Sequence, residues 1–254
     1  AVYHDPGNLN FSFISKTGKA SQVNFGKFTS VIINFMKSLG IEVNVNNRNS
    51  LFIGNQKFSG HDEHLYHDKI LHHGTILFNT DLDILQKSIS PVKEFQTKAM
   101  PSVRSSVMNI APLLPFGIDI HEFIGVFTDW LMTFYPGSTL FNPDPDISEE
   151  IAKLAGSKYR TWEWNFGYSP AYTFTIHFQS FTEIVHADMQ VINGQFSFVN
   201  VHTNSEKDII HNLLQSMKGI LHKEDEIDKF VKKNLQKLEL AGVNSVVFKE
   251  AFFR

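Results

Sequence analysis

Lys57 stands in the run Gln56-Lys57-Phe58-Ser59-Gly60, a single cation on a largely apolar segment with a glycine three residues on. A lysine so placed can present a point charge to a phosphate or carboxylate, and glycine lets a ligand approach backbone N–H groups. The same residues also suit a surface strand that ends in a turn. Five histidines (61, 64, 67, 72 and 73) crowd the next stretch and raise the question of metal ligation. Read as one strand, 61, 67 and 73 share a face while 64 and 72 share the other, so the two groups do not converge. No HExxH pattern is present, and we expect surface or hydrogen-bonded histidines and no metal site. Arg104, among small polar residues in SVRSSVMNI, suits either a positioning arginine or an ion-paired surface residue.

The elements that position these residues follow from periodicity. Apolar residues at 28, 31, 32, 35 and 39 make a helical stripe that Gly40 closes, after which Ile41, Val43 and Val45 alternate as a strand. Short β-type runs fill 51–79, with Gly54-Asn55 as a hairpin turn, and helices are expected at 81–89 and 119–134. FNPDPDIS (141–148) reads as a surface connection and YRTWEWNFGYSPAY as a boundary. Beyond it come alternating runs at 171–178, 182–192 and 195–202, an Asn193-Gly194 hairpin, and helices at about 206–216 and 223–238. The chain therefore reads as α+β: a mixed sheet with packed helices over residues 1–167 and a small α+β accessory domain over 168–254.

Composition limits the function classes. With 254 residues, 42% hydrophobic, the chain can bury a sizeable core, and no apolar run approaches the roughly 18 residues of a membrane span. A net charge of −3 supplies no global field for nucleic acid, so neither nucleic acid nor membrane is expected as a partner. The absence of cysteine excludes thiolate chemistry and fits a reducing compartment, with the cytoplasm as the expected location.

Read in order, AVYHDPGNLNFSFI, RNSLFIGNQKFSG, HHGTILFNTDL, SVRSSVMNI and WEWNFGYSPAY resemble the signature blocks of the lipoate-protein ligase A family. That family is similar to the biotin protein ligases in catalytic fold, and many bacterial members carry a small C-terminal accessory domain. The resemblance implies two half-reactions. Lipoate and ATP, with Mg2+, give lipoyl-adenylate and pyrophosphate; a lysine of a carrier lipoyl domain then takes the lipoyl group. The carriers implied are the lipoyl domains of 2-oxoacid dehydrogenase complexes and the glycine cleavage H protein. Lys57 matches the family's motif lysine, which would offset charge on the carboxylate and α-phosphate. Val2 and Tyr3 match adenylate contacts, Asn49 a nucleotide-side position, His73 and Gly74 the strand lining the lipoyl pocket, and Ser59 a nearby polar position. It also implies that a basic RRxSGGG segment precedes AVYHD, so that roughly 70 to 80 further residues are expected upstream.

Two departures stand out. Asn49-Ser50-Leu51 replaces the usual Asn-Asp-Leu, and His61-Asp62 replaces small residues after Ser59-Gly60. Two other readings keep the fold: a lipoyl or octanoyl transferase without the activation step, and a lipoate-binding relative without turnover.

Overall fold

The computed structural model describes residues 3–16, 25–46, 50–89, 95–97, 105–115, 117–181, 183–202 and 208–253. The chain divides into two compact units, residues 1–90 with 102–141 and residues 91–101 with 142–254.

The first unit is built on a five-stranded sheet of β1 (Asn8–Lys16), β2 (Asn44–Val45), β3 (Leu51–Ile53), β4 (Gln56–Tyr66) and β5 (Lys69–Leu77), in the order β1-β5-β4-β3-β2. Among the described residues the ladders of this sheet are antiparallel, and a parallel bridge joins Lys57 to Val107. The expected stripe forms α1 (Phe25–Ser38), which buries Phe28, Val31, Ile32 and Phe35. After α2 (Leu82–Ile89), the chain reaches α3 (Ile120–Phe134), which opens on a capping box: Asp119 accepts from the Glu122 N–H, and Glu122 accepts from the Asp119 N–H. Ile32 and Phe35 of α1 and Phe123 and Phe127 of α3 pack with Leu51, Phe58 and Ile76 of the sheet. The helices thus cover one face, here called the inner face. On the outer face Asn10, Ser12, Ile14, Asp62, His64 and His73 are exposed.

The second unit carries β6 (Gln96–Thr97), α4 (Pro145–Leu154), β7 (Tyr172–Gln179), β8 (Ile184–Ile192) and β9 (Gln195–His202). Its sheet runs β6-β7-β8-β9, followed in sequence by α5 (Asp208–Gln215), α6 (Glu224–Lys233), α7 (Leu235–Leu240) and α8 (Ser245–Glu250). Ile176, Met189, Leu214, Phe230 and Phe248 belong to one core. Asn193-Gly194 makes the expected hairpin, both residues having positive φ (51° and 74°). Gly194 is required twice over, since a Cβ there would lie 2.2 Å from the Trp162 ring. FNPDPDIS is not wholly a connection: Asp144 caps α4 through the Ile147 N–H, and Pro145 occupies its first turn. β7 begins at Tyr172, and residues 142–167 group with the second unit as well. No helix among the described residues is long and apolar enough to cross a membrane.

Candidate functional site

Lys57 is placed by an irregularity in β4. Leu51 pairs with Ser59 and Phe52 with Lys57, so Phe58 is an extra residue in the ladder, a β-bulge. Both Phe58 and Ser59 are buried, and Lys57 lies across Gly60: a Cβ on Gly60 would sit 3.1 Å from the Lys57 Nζ. The backbone is held from the far side, where the Lys57 N–H donates to the Ser106 carbonyl (2.8 Å) and the Met108 N–H to the Lys57 carbonyl (3.0 Å). Burial lowers the ammonium's pKa below the ordinary lysine value, and it has no carboxylate partner among the described residues. A partly desolvated cation without a counter-ion favours an anionic ligand.

The register of β4 on β5 sorts the neighbouring groups. Gly60 pairs with Thr75, Asp62 with His73 and His64 with Leu71, and all share the outer face with Asn10 and Ser12 of β1. The alternate residues point inward and bond to one another. Ser59 Oγ lies 3.0 Å from His61 Nε2, His61 Nδ1 lies 2.9 Å from His72 Nε2, and His72 Nδ1 lies 2.9 Å from Glu63 Oε1. A carboxylate only accepts, so with both rings neutral the donors run from Ser59 through His61 and His72 to Glu63. His72 is sealed among Phe13, Phe25 and Phe28. Burial, then His72, Lys57 and His73, push the His61 pKa down to about 3. The second Glu63 oxygen is buried with no partner.

This arrangement corrects the single-strand reading of the histidines. Tyr66 pairs with Lys69, so His67-Asp68 is a two-residue turn, with His67 at φ 53°. The turn resets the alternation: His61 and His72 share the inner face, and His64 and His73 the outer one.

At the same end of the sheet, the start of β1 and the end of β5 form a polar corner. Asp5 accepts from the Gly7 N–H (2.9 Å) and the Asp81 N–H (2.8 Å), with the Tyr3 hydroxyl at 3.4 Å. Asn109 clamps Thr80, accepting from its N–H and donating to its carbonyl, both at 2.9 Å. The segment 105–111 thus ties Lys57 to this corner. Two buried atoms there, Asn8 Oδ1 and Thr80 Oγ1, have no partner. Such atoms are where a ligand's donors or acceptors would be satisfied.

Of the residues expected at the site, Lys57 and His73 lie on the outer face and Tyr3 at the Asp5 corner. Ser59 and Gly74 point the other way. Ser59 is bonded to His61, and the space over Gly74 is filled by Phe11 and His61, which a Cβ would approach to 2.5 and 2.9 Å. Val2, Asn49 and Arg104 lie outside the described residues. Ser50, directly before β3, is buried, its N–H donating to Asn46 Oδ1. Sequence reading did not single out Asp62, Asn8, Thr80 or Asn109 as site residues; counting alternation from a turn at His67-Asp68 would have found Asp62. No group of three or more His, Asp or Glu among the described residues could hold a metal ion.

A family model described as the lipoyl protein ligase A/B catalytic domain matches residues 1–132. The chain is 38% identical to lipoate–protein ligase 1 of Staphylococcus aureus over 178 residues, covering 68% of this chain and 53% of that protein. It is 33% identical to lipoate-protein ligase LplJ of Bacillus subtilis over 178 residues, with the same coverage. The chain spans about half the length of the curated relatives it matches. Among solved structures, a lipoate-protein ligase A bound with ATP is 23% identical with a TM-score of 0.50, covering 65% of this chain and 67% of that one. That likeness speaks for the α+β fold.

Proposed function

Because the chain belongs to the lipoyl protein ligase A/B catalytic-domain family, we propose that the full-length protein is an ATP-dependent lipoate–protein ligase. The observation that carries the reading is Lys57, a partly buried ammonium without an ionic partner among the described residues, lying over Gly60 on an open polar sheet face. Activation joins two anions, the lipoate carboxylate and the α-phosphate of ATP. A fixed cation between them lowers their repulsion and stabilises the charge that builds as the carboxylate attacks phosphorus and pyrophosphate leaves. Asn8 Oδ1 and Thr80 Oγ1 suit donors and acceptors of the nucleotide, and His73 lies on the face along which the lipoyl chain would run. In this reading Mg2+ enters as the counter-ion of the ATP phosphates.

The acceptor is a lysine on a folded lipoyl domain, of a 2-oxoacid dehydrogenase complex or the glycine cleavage H protein, met in the cytoplasm. The ATP-bound state of one solved relative and the pairing of another with its E2 lipoyl domain support this choice of ligand and partner. Residues 168–254 form the accessory module in this reading.

The test is to incubate the full-length protein with ATP, lipoate and a purified lipoyl domain. We expect one pyrophosphate and one AMP per lipoyl group gained by the domain. Modification that needs preformed lipoyl-adenylate and releases no pyrophosphate from ATP would instead make the protein a transferase. Lipoate binding without either reaction would contradict the ligase assignment.

A further inference from the structure

On the outer face, Asp62 of β4 stands directly opposite His73 of β5, the next pair on that face after Gly60–Thr75 and the Lys57 side chain that covers Gly60. Side chains of such a pair spring from Cβ atoms about 5 Å apart. Both residues are exposed, and the His73 ring makes no hydrogen bond to the described residues. One Asp62 oxygen accepts the Glu63 N–H (2.9 Å), which fixes the carboxylate and leaves its second oxygen free. The contrast with the inner face is instructive: His61 and His72 are bonded on both ring nitrogens. His73 alone of the three has neither ring nitrogen bonded to the described residues, so the nitrogen that carries no hydrogen can take a proton.

We propose that His73 is the proton acceptor of the transfer half-reaction and that Asp62, its partner across the ladder, holds the ring once it is protonated. The proposal rests on the ligase reading and deepens it. The acceptor lysine enters as a free amine, having given one proton to water. Its nitrogen attacks the lipoyl carbonyl carbon and the C–N bond forms. The C–O bond to the phosphate breaks, and AMP leaves with the electron pair. The remaining surplus proton on nitrogen passes to the His73 imidazole, and the Asp62 carboxylate faces the imidazolium so made. Lys57 serves the carbonyl oxygen and cannot take this proton while it is an ammonium. The other titratable groups on this face are His64, diagonal to His73, and Lys16, Tyr66 and Lys69 at the far end; His61 lies behind the strand. None of them pairs with His73.

The experiment uses the full-length protein, synthetic lipoyl-adenylate and a purified lipoyl domain in single turnover, and compares wild type with His73→Gln, Asp62→Asn and Asp62→Glu. His73→Gln should slow transfer about 10²-fold. Asp62→Asn should slow it about tenfold, Asp62→Glu should restore most of that loss, and all three variants should fold as wild type does by thermal unfolding. A wild-type rate in His73→Gln overturns the proposal, as does a wild-type rate in Asp62→Asn. Failure of the ligase reading would look different: wild type would still transfer from lipoyl-adenylate but release no pyrophosphate from ATP. Wild type unable to use lipoyl-adenylate would overturn both.

Discussion

The two faces of the β4–β5 hairpin carry the same residue types to opposite ends. Inside, Ser59, His61, His72 and Glu63 spend their polar atoms on one another within an aromatic box. Outside, Lys57, Asp62 and His73 stand within a few ladder positions of each other with bonding capacity to spare. Two residues of neighbouring number, His72 and His73, thus differ in everything but type: one is fully buried and bonded, the other exposed and free. The difference teaches that strand alternation, rather than residue identity, separates groups that hold the sheet together from groups available to a ligand. A satisfied inner network also stiffens the strands that aim the outer groups.

This contrast can be broken or sharpened by four measurements. The largest effect belongs to His72→Ala, which leaves the buried Glu63 without its partner; we expect a loss of at least about 3 kcal/mol in denaturant unfolding. A loss below about 1 kcal/mol would mean that the inner chain is not structural.

Acid should act next on the inner face. His61 has a folded pKa near 3 against an ordinary 6.5, so the unfolded state binds more protons between these values. Its contribution to stability is complete above pH 6.5 and falls as pH drops toward 3, by about 1.4 kcal/mol per pH unit. His61→Asn should flatten that part of the stability curve; an unchanged slope would place the acid sensitivity elsewhere.

Glycine substitutions then compare the faces directly. Gly74→Ala forces a Cβ against Phe11 and His61 and should cost about 1–3 kcal/mol of stability. Gly60→Ala meets only the flexible end of Lys57, so it should cost little stability while displacing the ammonium and slowing adenylation. Equal destabilisation by the two would erase the distinction. Smallest is Asp62→Asn, which should change unfolding by no more than about 0.5 kcal/mol, as befits an exposed residue outside the core.

Much of the fold was legible in the sequence because periodicity and turn chemistry agreed. The stripe ending at Gly40, the α3 pattern and the Asn193-Gly194 hairpin each appear within a residue or two of expectation. The turn at His67-Asp68 was hidden because histidine in a left-handed conformation is uncommon and carries no sequence signal of its own. That one turn decides which histidines share a face, so the inner network and the Asp62–His73 pair were both out of reach. The α4 start was missed differently: Asp144-Pro145 is a helix-start signal, but two prolines in FNPDPDIS weighed toward a loop. The block resemblance brought Lys57 and His73 forward. It could not separate Lys57 from Ser59, because the bulge at Phe58 turns residues two apart to opposite faces, nor could it say which of the adjacent His73 and Gly74 faces outward, because that depends on the register with β4.

The central claim is that the Lys57 cation on the outer face, without an ionic partner among the described residues, drives adenylation. Its most direct test is pyrophosphate release from ATP and lipoate by full-length Lys57→Ala, with unfolding monitored on the same sample. We predict a rate at least about 10²-fold below wild type at unchanged stability. Near-normal release by a folded Lys57→Ala protein would contradict the account.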